Sequence, residues 1–316
     1  MQRIVTYLHM TSTNMTTITL PPPNARYRFS ILPEIFKQGL PDTDADTFDY
    51  AKENFGLIPC AYPSDETLED VESKTPWQRF EHYVKTLNGN AEEGTEYKVL
   101  YLGRHGQGYH NVAESRYGTK LWDDYWARQE GDEHAHWADA HLTEIGKQQA
   151  LDVNTFWRTA LADAKVPAPE TYYTSPFYRC LQTANLSFSS LDLPADRPFV
   201  PVVKELLRET NGVHTCDRRG ASSIIREDFP TYILEPGLPE TDVSWTPDRR
   251  ETPVEHILRE HVLLEQVFAE DEHEFVSFTA HSGTIAAVLG AVGHRRFALP
   301  TGGVIPIVVK GEKLTR

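Results

Sequence analysis

Residues 99–111 read VLYLGRHGQGYHN, and the fold turns on how this stretch is understood. Its first half belongs to an apolar, β-favouring run over residues 97–102, which breaks at Gly103 into Arg104-His105-Gly106, with Gly108 close behind. A buried strand that stops at a glycine-rich turn delivers the residues of that turn to the carboxyl edge of a sheet, where α/β proteins open their ligand crevice. A solvent-facing histidine in a tight turn would be written in the same letters. The meaning of Arg104 and His105 therefore rests on what the rest of the chain brings beside them.

Outward from this stretch, apolar runs alternate with helical periodicity. Strands are expected over 97–102, 170–174, 199–203, 274–280 and 304–309, and helices over 143–163, 177–189, 253–269 and 284–291, an alternation that argues for a layered α/β fold. The helix from 253 has Thr252 as N-cap, Pro253 at the first position and Glu255 closing a capping box, with Val254, Ile257, Leu258, Leu264 and Phe268 expected to face inward. Residues 26–96 form an acidic and aromatic arm. A short helix is expected at 48–55, and a clear amphipathic one begins at Thr75-Pro76 with Trp77, Phe80, Val84 and Leu87 on one stripe. One amphipathic helix cannot close its own core, so the arm is expected to pack across the domain that starts at residue 97. Residues 1–25 read as a flexible lead, and residues 211–250, rich in charge, proline and glycine, as a substrate-facing insertion.

The chain has 46 acidic against 31 basic side chains and a formal net charge of −15, which argues against nucleic acid or an anionic membrane as partner. An anionic ligand must then meet a local arginine cluster. Three cysteines without a C-x-x-C pair suggest neither a disulfide framework nor a cysteine-rich zinc site. No secretory leader and no run long enough to span a bilayer is evident, and a cytoplasmic protein without cofactor is expected.

Three further strand ends carry chemistry. Residues 173–184, YTSPFYRCLQTA, turn from a strand into a helix that Ser175-Pro176 would cap, with Arg179 and Thr183 one turn apart on it. Residues 203–212, VKELLRETNG, leave a strand with Arg208 and Glu209 in the following loop, and residues 275–284, FVSFTAHSGT, break at His281. Arg104, His105, Arg179, Glu209 and His281 would thus gather at one sheet edge. Two guanidinium forks and two imidazoles suit a tetrahedral dianion, a neutral histidine can attack phosphorus, and a carboxylic acid can protonate the leaving oxygen.

Rival chemistries fit less well. The glycines at 103, 106 and 108 lack the Gly-Lys-Ser/Thr of a nucleotide P-loop, and Ser282 lacks the Gly-x-Ser-x-Gly elbow of a serine hydrolase. Asp132, His134, His136, Asp139 and His141 could ligate zinc or manganese, although their run leads straight into a helix cap.

In these motifs and their order the chain resembles the histidine phosphatase superfamily, in its phosphoglycerate-mutase-like branch and most nearly its fungal phosphomutase-like members. The resemblance implies a three-layer α/β/α sandwich with a mostly parallel sheet over residues 97–316, carrying the arm of residues 26–96. It implies that His105, in Arg104-His105-Gly106, is the nucleophile of a phosphohistidine intermediate. Asn111 matches a phosphate-pocket asparagine, and Arg179, in the Ser-Pro-x-x-Arg-x-x-Gln-Thr-Ala match, a second phosphate arginine. His281 matches a late histidine that is followed here by Ser282 before Gly283. Leu142-Thr143-x-x-Gly146 matches a helix start. Glu209 fits the acid, with Glu205 as the alternative. Gln107, Arg208, His214 and Arg218 are candidates for the rest of the substrate. The implied activity is metal-independent hydrolysis of a small phosphorylated metabolite, with phosphomutase transfer as the alternative.

Overall fold

In the computed structural model, which describes residues 21–315, the central feature is a seven-stranded sheet. In chain order the elements are β1 (Tyr27–Ile31), α1 (Pro76–Gly89), β2 (Thr95–Arg104), α2 (Tyr109–Tyr117), α3 (Thr119–Asp124), α4 (Glu144–Thr159), β3 (Thr171–Thr174), α5 (Tyr178–Phe188), β4 (Val202–Val203), α6 (Ser222–Asp228), β5 (Ile233–Leu234), α7 (Pro253–Glu270), β6 (Phe275–Ala280), α8 (Ser282–Ala291) and β7 (Val304–Lys313). Across the sheet the order is β1-β7-β2-β6-β3-β4-β5. The strands β2, β6, β3, β4 and β5 pair in parallel, and β7 runs antiparallel to both β2 and β1.

The pleat of β2 shows why three layers form. Leu100 and Leu102 point into a core made with α7 and α8, through Leu263, Leu264, Val267 and Val288. Val99 and Tyr101 point the other way, to Trp77, Phe80 and Val84 of α1 and Val153 and Trp157 of α4. A strand apolar on both faces needs a helical layer on each side. The expected α/β/α sandwich is therefore the observed one.

The arm does more than pack across the sheet: β1 extends it, in register from Tyr27 opposite Lys313 to Ile31 opposite Val309. Thr75 caps α1 as expected, its hydroxyl accepting from the Gln78 N–H at 3.2 Å while Gln78 Oε1 accepts from the Thr75 N–H at 3.0 Å. The helix expected at 48–55 is not formed. Asn54 and Phe55 have φ of 52° and 58°, which breaks helical geometry and turns the Phe55 ring into the core, stacked on Tyr101 at 5.6 Å. Residues 1–20 of the expected flexible lead lie outside the described residues.

Other boundaries shift for physical reasons. The helix expected over 143–163 stays regular to Thr159 and continues as a single π-turn to Ala164. The strand expected at 199–203 pairs only at Val202–Val203, and the last strand runs to Lys313 because both β2 and β1 supply it with partners. Val254 is exposed, lying in the first turn of α7 outside the buried stripe. The insertion of residues 211–250 contains α6 and the edge strand β5, so part of it belongs to the sheet. No helix among the described residues is long and apolar enough to cross a membrane.

Candidate active site

The carboxyl ends of β2, β6, β3 and β4 meet at one edge of the sheet. Arg104 is the last residue of β2, and the next residue, His105, is locked to β6 by its N–H, which donates to the Ala280 carbonyl at 3.0 Å. His105 Nδ1 lies 2.7 Å from the Gly106 carbonyl, which can only accept, so the ring proton sits on Nδ1 and the Nε2 lone pair is free. The turn that follows lies flat on the start of α4. A Cβ on Gly106 would stand 2.2 Å from the Gly146 carbonyl oxygen, and one on Gly146 would stand 2.1 Å from the Gln107 carbonyl oxygen. Two glycines so far apart in sequence are required by one backbone contact. Thr143 caps α4 at this point, accepting from the Gly146 N–H at 3.1 Å.

A cavity of about 360 Å³ opens over His105 and is lined by Arg104, His110, Asn111, Arg179, Glu209 and His214 among others. Arg104 donates through Nη1 to the Leu299 carbonyl at 2.7 Å, while its buried Nε has no partner. Arg179, fully buried on α5, donates from Nη1 to the Cys216 carbonyl at 2.7 Å and from Nη2 to Asp217 at 3.1 Å. Its Nε reaches His281 Nδ1 at 3.3 Å. Asn111 accepts from the Gly108 N–H at 2.9 Å and so fixes the loop.

Glu209, not Glu205, faces the cavity. Its Oε2 accepts from the N–H of Gly283, in the first turn of α8, at 3.0 Å, and its Oε1 from the Thr210 N–H at 2.8 Å. Glu205 is spent on ion pairs with Arg208 at 2.6 Å and Arg219 at 3.1 Å. The carboxylate sits so close to α8 that a Cβ on Gly283 would come within 2.0 Å of Glu209 Oε1. Gly283→Ala is expected to push Glu209 out of place and lower kcat at least about 10-fold with little change in folding; kcat together with the melting temperature checks this.

Several expected placements are corrected. His281 is fully buried rather than open to the cavity, its ring 5.1 Å from that of His105, with Nδ1 toward Arg179 and Nε2 2.7 Å from the Ser175 hydroxyl. Ser175 therefore engages His281 and does not cap α5, whose N-cap is Phe177. Arg208 is buried in ion pairs with Glu205 and Asp242, away from the cavity. Gln107 is held by Thr143, and Arg218 pairs with Glu130 over the Trp245 ring; neither lines the cavity. His110, Trp122, Asp123, Glu114 and Arg250 do line it and were not expected there. His110 is the most telling of them, because its buried Nδ1 has no partner and its ring lies 5.4 Å from that of His105.

The residues of the possible metal run do not converge. Asp132 accepts from Tyr117 and Arg116, Asp139 accepts from the Tyr178 and Gly220 N–H groups, and His141 stacks on Tyr178. His214, Cys216 and Asp217 do come within 4.8 Å of one another, but Asp217 is already claimed by Arg179 and Arg250. A metal cation there would meet two guanidinium charges.

Burial pushes the pKa of His105, His110 and His281 well below the ordinary value, and the charge of Arg179 pushes each the same way. His105 is thus held neutral. In the unfolded chain these rings take up protons as pH falls through about 6.5, while the native ones do not. Stability is expected to fall below that pH by up to about 1.4 kcal/mol per unit for each ring, read as a lower melting temperature at about pH 5 than at about pH 7.5.

The sequence profile of the histidine phosphatase superfamily (branch 1) matches residues 100–300. A "Probable phosphoglycerate mutase" of Arthroderma benhamiae is 50% identical over 287 residues, covering 91% of this chain and 85% of that protein. A protein of the same description in Saccharomyces cerevisiae is 35% identical over 278 residues, covering 79% of this chain and 92% of its own length. "Phosphomutase-like protein 3" of Candida albicans is 34% identical over 256 residues, covering 81% of this chain and 76% of its own. With Arg104 and His105 at the end of β2, Arg179 on α5 beside them and the profile covering all three, the chain belongs to the histidine phosphatase superfamily.

Proposed function

We propose that the protein is a phosphatase that hydrolyses a phosphate monoester of a small metabolite through a phosphohistidine on His105. The observation that carries this reading is the set of groups around the free Nε2 of His105: two arginines, with Arg104 Nε and His110 Nδ1 both buried and lacking a partner. A buried guanidinium N–H without an acceptor, beside an imidazole nitrogen that is also unpartnered, suits a tetrahedral dianion that brings its acceptors with it.

In this reading Arg104, Arg179 and Asn111 hold the phosphoryl group, with His281 fixing Arg179 from behind. His105 Nε2 attacks phosphorus in line as the ester P–O bond breaks, and Glu209 gives the leaving oxygen a proton. Glu209 then takes a proton from water as that water attacks the phosphohistidine and frees phosphate. Fixed positive charge supplies most of the rate. No resident metal takes part, so a chelator is expected to leave activity unchanged.

A phosphomutase would share these residues, and the names of the fungal relatives point to that outcome. A mutase must hold a bisphosphorylated intermediate while it turns, which calls for a second cationic subsite. Here the cavity mouth carries Glu114 and Asp123, and Arg250 is paired with Asp217. That balance favours release of phosphate. The free thiols Cys60, Cys180 and Cys216 suit a reducing compartment, which supports placing the activity in the cytoplasm. The test is a screen of phosphorylated metabolites for inorganic phosphate: release with turnover supports a phosphatase, and an isomer without phosphate supports a mutase.

A further inference from the structure

From Glu209 and Thr210 in the cavity lining, a polar chain runs into α7. Glu209 Oε1 accepts from the Thr210 hydroxyl at 3.3 Å, and that hydroxyl lies 3.3 Å from His256 Nδ1. His256 Nε2 lies 3.5 Å from Glu260 Oε1, one turn further along α7. His256 is 3% exposed and Glu260 is fully buried, and neither His256 Nε2 nor Glu260 Oε2 has a hydrogen-bond partner. Such a chain inside an α/β core costs burial energy unless its protons are shared along it.

The ionic balance says where the proton rests. Arg259 grips Glu251 with two donors, Nε at 2.9 Å and Nη2 at 2.8 Å, and reaches Glu260 with Nη1 at 2.7 Å. One guanidinium faces two carboxyls, and the pair with Glu251 already neutralises it. Glu260, the one wholly out of water, is left to carry a proton; burial raises its pKa well above the ordinary value. His256 is neutral, with burial pushing its pKa to about 3. The charged and titratable groups facing this pair are Glu209 from the loop after β4, Glu251 and Arg259 on and before α7, Asp217 and Arg250 from the insertion, and His281 at the end of β6. The neighbouring α8 contains no titratable side chain.

We propose that Glu260 is a proton store for Glu209, connected to it through His256 and Thr210, which makes all three positioning residues for the acid. The inference rests on Glu209 being that acid. On transfer, Glu260 Oε1 and His256 Nε2 close their 3.5 Å gap and the Glu260 proton passes to Nε2, the His256 Nδ1 proton to Thr210 Oγ1, and the Thr210 hydroxyl proton to Glu209 Oε1. Glu260 ends ionised beside Arg259, His256 ends neutral with its tautomer reversed, Thr210 is unchanged and Glu209 is the acid. After the leaving oxygen has taken that proton, Glu209 gains another from the attacking water, and the reverse hops return it to Glu260. The store gives Glu209 its proton from the protein side, without drawing on solvent.

The experiment compares kcat/KM, which reports the first phosphoryl transfer and not the shared hydrolysis of the phosphohistidine, against pH on p-nitrophenyl phosphate, whose leaving group needs no acid, and on glycerol phosphate, whose leaving group does. Glu260→Gln and Thr210→Val are each expected to lower the alkyl rate at least about 10-fold more than the aryl rate and to move the alkyl pH profile. Thr210→Ser, which keeps the hydroxyl, is expected to restore the wild-type ratio. A parallel fall on both substrates, or an unchanged ratio in both variants, overturns the store. If Glu260→Gln fails to fold, Thr210→Val and Thr210→Ser decide. Glu209→Gln separates the two readings: an unchanged ratio there refutes Glu209 as the acid, whereas a changed ratio there with none in the others refutes the store alone.

Discussion

Replacing His105 by alanine is expected to abolish turnover of both aryl and alkyl phosphates, by on the order of 10⁴-fold or more, while the protein stays folded. The asymmetry follows from how little of the fold hangs on this ring. The contact that fixes the turn is made by the His105 backbone N–H to Ala280, and alanine keeps it. The side chain itself makes one hydrogen bond, to the carbonyl of the next residue. Its loss leaves a small hole beside a cavity already open to solvent, whereas no neighbour can replace it. His110 has a free nitrogen but begins 5.4 Å away, ring to ring, and His281 has both nitrogens engaged. Rates on p-nitrophenyl phosphate with a melting curve for each protein check this; a folded variant with a wild-type rate would remove His105 from the chemistry.

Arg179→Ala is expected to damage activity and stability together, and in this it should differ from His105→Ala. Arg179 is buried with its partners: Asp217, itself nearly inaccessible, the Cys216 carbonyl and His281. Removing the guanidinium leaves the Asp217 carboxylate with Arg250 alone and a carbonyl unpaired, and one-sided loss of a buried pair costs about 3–5 kcal/mol. Activity should fall a further 10²–10³-fold, roughly the loss from one preorganised donor. Arg179→Lys keeps the charge but cannot donate in three directions at once, so it should recover part of the stability and little of the rate. Denaturant midpoints and kcat/KM for both variants provide the measurement. Alanine at this position with full stability would contradict the ion-pair account.

The parts of this site that could be read from sequence are those set by local rules. A buried strand leading into Arg104-His105, or the capping box at Thr252 and Glu255, depends on residues a few places apart, and both form where the sequence indicates, the strand running two residues further at each end than the expected 97–102. The contact between Gly106 and Gly146 shows the next level, since each glycine is visible but their reason is a shared backbone surface. What was hidden depends on charge partners distant in the chain. Arg179 and Arg208 look alike as arginines beside strand ends, and only the folded chain shows Asp242 claiming Arg208 from the insertion. His281 looked like a cavity residue because the strand end points there, yet Arg179 and Ser175 occupy both its nitrogens. His110 stands beside Asn111, and Arg-His-Gly-x-x-x-His places it in the first turn of α2, at the cavity. The pairing of β1 with β7 has no local signal at all, because its partners lie some 280 residues apart.

The central claim is that phosphorus passes through His105, and trapping the intermediate tests it most directly. The Glu209→Gln protein, mixed with p-nitrophenyl phosphate and quenched with alkali, should form the phosphohistidine without acid help and lose it slowly for want of a base to activate water. Peptide mass spectrometry is then expected to find one acid-labile, alkali-stable phosphoryl group on His105, and none when His105 is alanine. A phosphoryl group on another residue, or phosphate release from the unmodified protein with no phosphoenzyme in either form, would contradict the account.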